Sequence, residues 1–211
     1  MKNLLIIGAR GFGREVYGIA QACIANGMEI SVKGFLDGKS DALDGYATYP
    51  PIISSVEGYE IQKDDVFICA LGDVDYKKQY ANIILNKGGQ FISLVHPHAS
   101  IGINSTIGVG CIIEKNAVLS CDAKLGDFVT MLPSSVLGHD ISVGSWTHIG
   151  SFAFMGGFSS LGESVTLHPG AHILPHKVVG NHATVCSNSV VMRRVKDNTT
   201  VFGNPAKKME L

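Results

Sequence analysis

The sequence has no strong charge bias and no long apolar run. Its 17 Lys and Arg residues nearly balance 18 Asp and Glu residues, for a net charge of −1, so neither nucleic acid nor an anionic membrane surface is an expected partner. No stretch approaches the roughly 20 apolar residues that span a bilayer. The apolar run at the N-terminus is too short for a secretory signal peptide. We therefore expect a cytoplasmic protein without membrane contact.

The cysteines form no pairing motif. They are scattered, odd in number and without CxxC spacing, at Cys23, Cys69, Cys111, Cys121 and Cys186. This distribution predicts free, buried thiols in a reducing compartment rather than a disulfide framework.

A repeat of six residues organises the chain from Ile101 to Lys196. Every sixth residue is aliphatic or Met, at 101, 107, 113, 119, 125, 131, 137, 143, 149, 155, 161, 167, 173, 179, 185 and 191. The following residue is Gly in nine of these sixteen cases. The residue four places on is small or β-branched, with Lys177 as the exception.

A period of six fits neither an α-helix, whose apolar stripe recurs every 3.6 residues, nor a flat strand with period two. It predicts a β-helix of very short strands, in which three sixes form one triangular coil. Equivalent positions then recur every eighteen residues. Sixteen sixes give about five coils, or a height of about 25 Å at the usual inter-strand spacing. We assign residues 94–196 to this domain and 197–211 to a C-terminal tail.

The first 93 residues predict a small α/β domain of Rossmann-like type with a parallel sheet, because strands and helices alternate. The predicted strands are Leu4–Ile7, Ile30–Leu36, Val66–Leu71 and Phe91–Val95. One predicted helix ends near Gly27, a second covers Tyr76–Asn86, and Gly38–Pro51 is a predicted loop.

A glycine motif, Gly8-x-x-Gly11-x-Gly13, links the first strand to the first helix. Glycines there let a ligand approach the backbone, and a helix N-terminus offers N–H groups to a phosphate. Asp37, 24 residues beyond Gly13, and Gly72 also follow predicted strands, which favours one nucleotide site at the strand ends. The spacing differs from Gly-x-Gly-x-x-Gly, so an NAD site, another phosphate site and a purely structural turn stay open.

Arg10, within this turn, is a candidate phosphate contact; the alternative is a solvated turn residue.

Among eight histidines, His139 has the most specific pattern. It is the third residue of its six, at a predicted corner facing outward, followed by Asp140 and, nine residues on, by His148. An exposed His beside a carboxylate suits a general base, although most exposed turn histidines are inert. A metal site is an alternative role for three other histidines, His168, His172 and His176. Their spacing of four places them in different columns of a six-residue coil, so we expect no metal.

Several segments together carry a resemblance that is nearly end to end: IIGARGFGRE (6–15), GFLD (34–37), ALGD (70–73), LVHPHA (94–99), the repeats, and VFGNPA (201–206). With these segments the chain resembles the sugar O- and N-acyltransferases that join a small nucleotide-sugar-binding domain to a left-handed β-helix. The family includes sialic acid O-acetyltransferases and UDP-4-amino-sugar N-acetyltransferases. The resemblance implies the left hand of the β-helix.

The resemblance also implies roles for individual residues. His139 would remove a proton, Asp140 would hold the imidazole, and the N–H of Gly157 would receive the oxyanion. The stretch at Cys121 has the same shape but lacks the His, and lies one coil below His139.

The donor implied by the resemblance is acetyl-CoA, bound between subunits of a homotrimer. His148 would contact it, and Ser187, Asn204 and Lys207 would line its far end. Gly8, Arg10, Gly11, Gly13, Asp37 and Gly72 would bind the nucleotide-sugar acceptor.

We therefore expect an acetyltransferase acting on the amine of a nucleotide-linked amino sugar, for surface glycan biosynthesis. Alternatives are O-acetylation of a sialic-acid-like sugar and a non-catalytic trimeric scaffold that binds nucleotide sugars. Two positions depart from the family: Leu132 stands where many members have Asn, and Cys186–Ser189 replaces a glycine-rich run. They leave the identity of the acceptor and the pantetheine contacts open.

Overall fold

The computed structural model describes residues 1–209, which divide into two compact units. The first unit is Met1–Pro97 and the second begins at His98. The division falls four residues after the predicted boundary at residue 93.

The first unit is an α/β domain with a parallel five-stranded sheet in the order β3-β2-β1-β4-β5. Its elements are β1 (Lys2–Ile7), α1 (Gly11–Ala25), β2 (Ile30–Leu36), β3 (Ile52–Ser54), β4 (Asp65–Cys69), α2 (Val74–Asn86), β5 (Gln90–Phe91) and β6 (Leu94–Val95). The prediction of a parallel sheet is confirmed. Two details were wrong: β3 was not predicted, and the predicted strand Phe91–Val95 is two short strands.

The apolar run of β1 forms the centre of this unit. Leu4, Leu5, Ile6 and Ile7 are at most 1% exposed, as expected for a central strand of a parallel sheet covered on both faces. Helix α1 buries Val16, Ile19, Ala20 and Cys23, which is the i, i+3, i+4, i+7 stripe of an amphipathic helix.

The second unit is a β-helix of two-residue strands that visit three parallel sheets in turn. Face 1 contains β7 (Ser100–Ile101), β10 (Val118–Leu119), β13 (Val136–Leu137), β16 (Phe154–Met155), β19 (His172–Ile173) and β22 (Val190–Val191). Face 2 contains β8 (Thr106–Ile107), β11 (Lys124–Leu125), β14 (Ser142–Val143), β17 (Ser160–Leu161) and β20 (Val178–Val179). Face 3 contains β9 (Ile112–Ile113), β12 (Thr130–Met131), β15 (His148–Ile149), β18 (Thr166–Leu167), β21 (Thr184–Val185), β23 (Thr200–Phe202) and β24 (Lys207–Lys208).

The sixteen repeat positions are the second residues of β7 to β22, and all but Ile101 and Ile107 are buried. The register advances by eighteen residues per coil, since Leu119 pairs with Leu137 and Leu137 with Met155. The predicted six-residue frame is confirmed. The C-terminal segment extends it, because β23 pairs with β21 and β24 folds back on β23.

Corners of the coil impose two backbone demands. Gly144 approaches the next coil so closely that an added Cβ would lie 2.5 Å from backbone atoms of Gly162. The second residue after such a corner glycine is often in the left-handed region. Asp140 (φ 54°) and Phe158 (φ 59°) are examples.

Within residues 1–209, no helix combines the length and apolar character needed to cross a bilayer.

Candidate active site

His139 lies at the corner between faces 1 and 2, after β13 and before β14. Its Nδ1 lies 2.8 Å from Oδ2 of Asp140, and the two side chains are 52% and 44% exposed. A carboxylate accepts hydrogen bonds, so this contact places the proton of the neutral imidazole on Nδ1. Nε2 is then the basic nitrogen.

Gly157 lies one coil beyond His139 on the same edge, as the pairing of Leu137 with Met155 requires. A Cβ built on Gly157 would lie 2.7 Å from both Cε1 and Nε2 of His139. The imidazole therefore rests against the Gly157 backbone with its basic nitrogen on that side. Such a position suits a backbone donor for charge that develops next to the base.

Cys121 lies one coil before His139, and its carbonyl oxygen accepts a hydrogen bond from the N–H of Asp140 at 3.2 Å. Cys121 and Cys186 are half-buried, whereas Cys23, Cys69 and Cys111 are buried. The predicted thiols are thus free, but only three of the five are buried. Burial raises the pKa of the Cys69 thiol to about 12.

The residues predicted for the donor form a separate group on the other side of the coil. His148 is in β15 on face 3, Ser187 follows β21 at the corner leading back to face 1, and Asn204 and Lys207 lie on the segment from β23 to β24. Face 3 is opposite the edge that carries His139. A single chain therefore does not bring this group to His139.

A cavity of about 520 Å³ opens at the carboxyl ends of β1, β2 and β4 in the first unit. Five of the six predicted acceptor residues line it: Gly8, Arg10, Gly13, Asp37 and Gly72. Gly11, the first residue of α1, is not among the lining residues.

The glycine turn has little steric freedom. Gly8 has φ 95°, and a Cβ on Gly13 would overlap the carbonyl oxygen of Gly8. Asp37 fastens this turn, because its Oδ2 accepts a hydrogen bond from Ala9 N–H at 2.9 Å. Its Oδ1 accepts from Lys39 N–H at the same distance. Asp37 thus has a structural role in addition to the one predicted.

The two helices that begin near this cavity have different N-termini. Asp73 caps α2 by accepting hydrogen bonds from the N–H groups of Asp75 and Tyr76, both at 3.0 Å. Arg10, the N-cap of α1, makes no side-chain capping hydrogen bond. The N-terminus of α1 is therefore the one suited to a phosphate, because its first N–H groups and the helix dipole favour an anion there.

Sequence reasoning missed several residues that line this cavity. They are Phe12, Val56, Asp73, Tyr76 and Tyr80. The spacing of Tyr76 and Tyr80 is a detectable signal, since residues four apart share one face of a helix and α2 begins directly after Asp73.

Among residues 1–209, no three His, Cys, Asp or Glu side chains are grouped so that they could hold a metal ion.

Two families match the chain, one on each half. Residues 3–84 match the PglD N-terminal domain. Residues 90–201, more than half of the 211 residues, match the GMPPB C-terminal domain.

Among curated proteins, the chain is 25% identical over 217 residues to a GDP-perosamine N-acetyltransferase of Escherichia coli, covering 94% of this chain and 81% of that protein. It is 28% identical over 116 residues to a UDP-N-acetylbacillosamine N-acetyltransferase of Bacillus subtilis, covering 54% and 51%.

Among solved structures, the acetyltransferase domain of PglB from Neisseria gonorrhoeae superposes with a TM-score of 0.88 at 26% identity, covering 99% of this chain and all of that chain. That domain has also been solved with acetyl coenzyme A. PerB from Caulobacter crescentus, solved with CoA and GDP-perosamine, has a TM-score of 0.89 at 22% identity, covering 100% and 98%.

These likenesses confirm the expected fold class, a Rossmann-like domain followed by a left-handed parallel β-helix. Through residues 90–201 the chain belongs to the family of the GMPPB C-terminal domain, and with its PglD-type N-terminal domain it is a hexapeptide-repeat sugar acyltransferase.

Proposed function

We propose that this protein transfers the acetyl group of acetyl-CoA to the amine of a nucleotide-linked amino sugar, in the biosynthesis of a surface glycan. The observation that carries the proposal is the His139 corner, where a carboxylate holds Nδ1 and Nε2 lies against the backbone of Gly157. The N-acetyltransferase relatives support an amine rather than a hydroxyl as the acceptor.

The proposed reaction needs one proton transfer and one stabilised oxyanion. The sugar amine attacks the thioester carbonyl carbon while Nε2 of His139 takes a proton from the amine. The carbonyl oxygen becomes an oxyanion, to which the N–H of Gly157 donates. The intermediate then collapses to the amide, and CoA leaves as a thiol with the proton returned by His139. Asp140 stabilises the imidazolium that forms between the two steps.

The position of the donor group explains why the active enzyme would be a homotrimer. His148, Ser187, Asn204 and Lys207 lie around face 3, away from the edge with His139. In a ring of three subunits, one surface of a subunit contacts a different surface of its neighbour, whereas a two-fold dimer pairs identical surfaces. A trimer would therefore build each site from His139 of one subunit and the donor group of the next.

The acceptor would be held through its nucleotide in the cavity of the first unit. The open N-terminus of α1 and the cation of Arg10 suit the diphosphate, and Gly8 and Gly13 let it approach the backbone. A carboxylate has about four lone-pair sites, so Asp37 can accept from a ribose hydroxyl while it holds the turn. Gly72 lies three residues after β4 and lines the cavity at the same edge.

A panel of acceptors tests this function. GDP-, UDP- and dTDP-linked 4-amino sugars and a free sialic acid would each be incubated with acetyl-CoA, and products identified by mass spectrometry. The matched controls are the same nucleotide sugars with a hydroxyl in place of the amine. We expect an N-acetylated product from at least one amino sugar and none from its hydroxyl counterpart. O-acetylated sialic acid without any amide product would overturn the proposal in favour of the O-acetyltransferase alternative.

A further inference from the structure

Phe158 lies at the same edge as His139, in a backbone conformation that does not suit it. Its φ is 59° and the residue is 54% exposed. The left-handed region is costly for bulky residues and is tolerated best by Gly and Asn. The chain itself has Asn at equivalent corners, at Asn104, Asn116 and Asn188. An exposed aromatic ring at this corner therefore carries a backbone cost that Asn would avoid.

The ring of Phe158 contacts the imidazole of His139. Their centroids are 5.1 Å apart with an interplanar angle of 89°, an edge-to-face geometry. The N–H of Phe158 also donates to the carbonyl oxygen of His139 at 3.1 Å. His176, one coil further, stacks on Phe158 at 5.1 Å and 3° and supports the ring from the next level.

Two other aromatic residues at corners of the coil, Phe128 and Phe152, can be compared with Phe158. Phe128 is buried and stacks on Trp146 at 4.0 Å and 2°, so it belongs to the packing of its edge. Phe152 has φ 60° and is 68% exposed. Phe152 is therefore a comparison for Phe158, with the same left-handed backbone and an exposed ring, but at the corner between faces 3 and 1.

We propose that Phe158 is a positioning residue for acyl transfer, which holds the imidazole of His139 with Nδ1 towards Asp140 and Nε2 against the Gly157 backbone. The proposal rests on the proposed role of His139 as the base. Because His139 and Asp140 are both about half exposed, their single hydrogen bond leaves the imidazole free to swing with its partner. The edge-to-face contact with Phe158 adds a second point of attachment for the imidazole.

Three variants test the proposal on the full-length protein. Phe158→Asn removes the ring and suits the backbone, Phe158→Tyr keeps the ring, and Phe152→Asn makes the same change at the corner between faces 3 and 1. We expect Phe158→Asn to lower kcat about ten- to hundredfold, with the KM for acetyl-CoA unchanged and the Tm unchanged or higher. Phe158→Tyr is expected to retain kcat within a few-fold. Phe152→Asn is also expected to retain kcat, and because its corner also carries Ser187, its KM for acetyl-CoA is measured separately.

The combination of a lower kcat with an equal or higher Tm is not what a purely structural residue would give. An unchanged kcat in Phe158→Asn would overturn the proposal. So would an equal loss in Phe158→Tyr or in Phe152→Asn, since the loss would then not follow the ring at position 158.

A second readout does not depend on activity. In protein labelled with ¹³C at histidine, the imidazole signals of His139, assigned by their loss in His139→Ala, are shifted by the ring current of Phe158. We expect these signals to move in Phe158→Asn and to stay in Phe152→Asn. If the signals do not move in Phe158→Asn, the ring of Phe158 does not contact His139 and the proposal is overturned. Activity retained in His139→Ala would instead overturn the proposed base, and the two failures are thereby distinguished.

Discussion

The imidazole of His139 occupies the space that a side chain on Gly157 would need. A Cβ at position 157 would lie 2.7 Å from two of its ring atoms, a distance well inside van der Waals contact. The steric requirement for glycine and the proposed hydrogen bond to the oxyanion therefore meet at one residue. The coil brings them together because positions eighteen residues apart share an edge.

Gly157→Ala is predicted to displace the imidazole and to lower kcat about a hundredfold, since small misplacements of a base are costly. The fold should persist, because the exposed side chain of His139 can move outwards. Steady-state kinetics and a thermal melt would measure both effects. Gly162→Ala is the control: its Cβ would meet the backbone of Asn181 at 2.7 Å, so it strains the coil on another edge. A similar selective loss of kcat in Gly162→Ala would argue against the role of Gly157.

Gly13→Ala is predicted to abolish binding of the nucleotide sugar while acetyl-CoA still binds. The added Cβ would overlap the Gly8 carbonyl and push the turn open. Isothermal titration with each ligand would separate the two affinities. Gly18→Ala, where a Cβ meets nothing within 4 Å, should leave both affinities unchanged and stabilise α1 by about 0.5–1 kcal/mol. Equal loss of both ligands in Gly13→Ala would contradict a separate acceptor cavity.

Two inactive variants are predicted to restore activity when they share one oligomer. His139→Ala lacks the base, and His148→Ala lacks a contact to acetyl-CoA. Where the two variants are neighbours, one site can combine the intact His139 of the His148→Ala subunit with the intact His148 of the His139→Ala subunit. Random mixing after joint unfolding and refolding would give roughly one quarter of the interfaces a complete site. The measurement is the recovered rate relative to refolded wild type. If mixed samples stay as inactive as either parent, the site does not lie between subunits.

A buried ionic cluster in the first unit is predicted to make stability depend on pH. Asp65 accepts hydrogen bonds from the Lys33 ammonium at 2.9 Å and the Tyr59 hydroxyl at 2.7 Å, and its side chain is fully buried. Burial opposes ionisation of Asp65, but the hydrogen bonds from Tyr59, the Gln62 N–H and Lys33 outweigh it and lower its pKa. Its contribution to stability is thus present above the unfolded-state pKa of about 3.9 and is lost as pH falls through the folded value.

Asp65→Asn should cost about 1–3 kcal/mol near neutral pH, because the charged hydrogen bonds of Asp65 are lost while Lys33, 30% exposed, stays partly solvated. It should also flatten the acid limb of the stability curve, measured by urea unfolding at a series of pH values. The adjacent Asp64→Asn serves as the control, since Asp64 is exposed with φ 67°, a conformation that Asn tolerates. If the stability of wild type and of Asp65→Asn fell equally steeply with decreasing pH, the predicted role of the cluster would be contradicted.

The six-residue frame made much of the β-helix predictable. It placed the strands, their register and the shared edge of Cys121, His139 and Gly157, because a coil converts sequence spacing directly into position. It could not predict the contact of Phe158 with His139. The frame says which residues share an edge, whereas the angle between two rings depends on side-chain rotamers.

The first unit was predictable to a lesser degree. The apolar runs of β1, β2 and β4 are strong signals for buried strands, but β3 has only three residues at the edge of the sheet and produces no clear periodicity. The sequence predicted only that Asp37 and the glycine turn bind the same ligand. The hydrogen bond from Ala9 N–H to Asp37 shows a structural link that spacing alone does not reveal.

The rate of amide formation in His139→Ala tests the central claim most directly. Wild type and variant would be assayed with acetyl-CoA and the preferred amino-sugar nucleotide, at equal concentrations of folded oligomer. Removal of the general base is expected to lower kcat by a factor of about 10²–10⁴, while the affinity for the nucleotide sugar is retained. A variant that keeps the wild-type rate would contradict the assignment of His139 as the base.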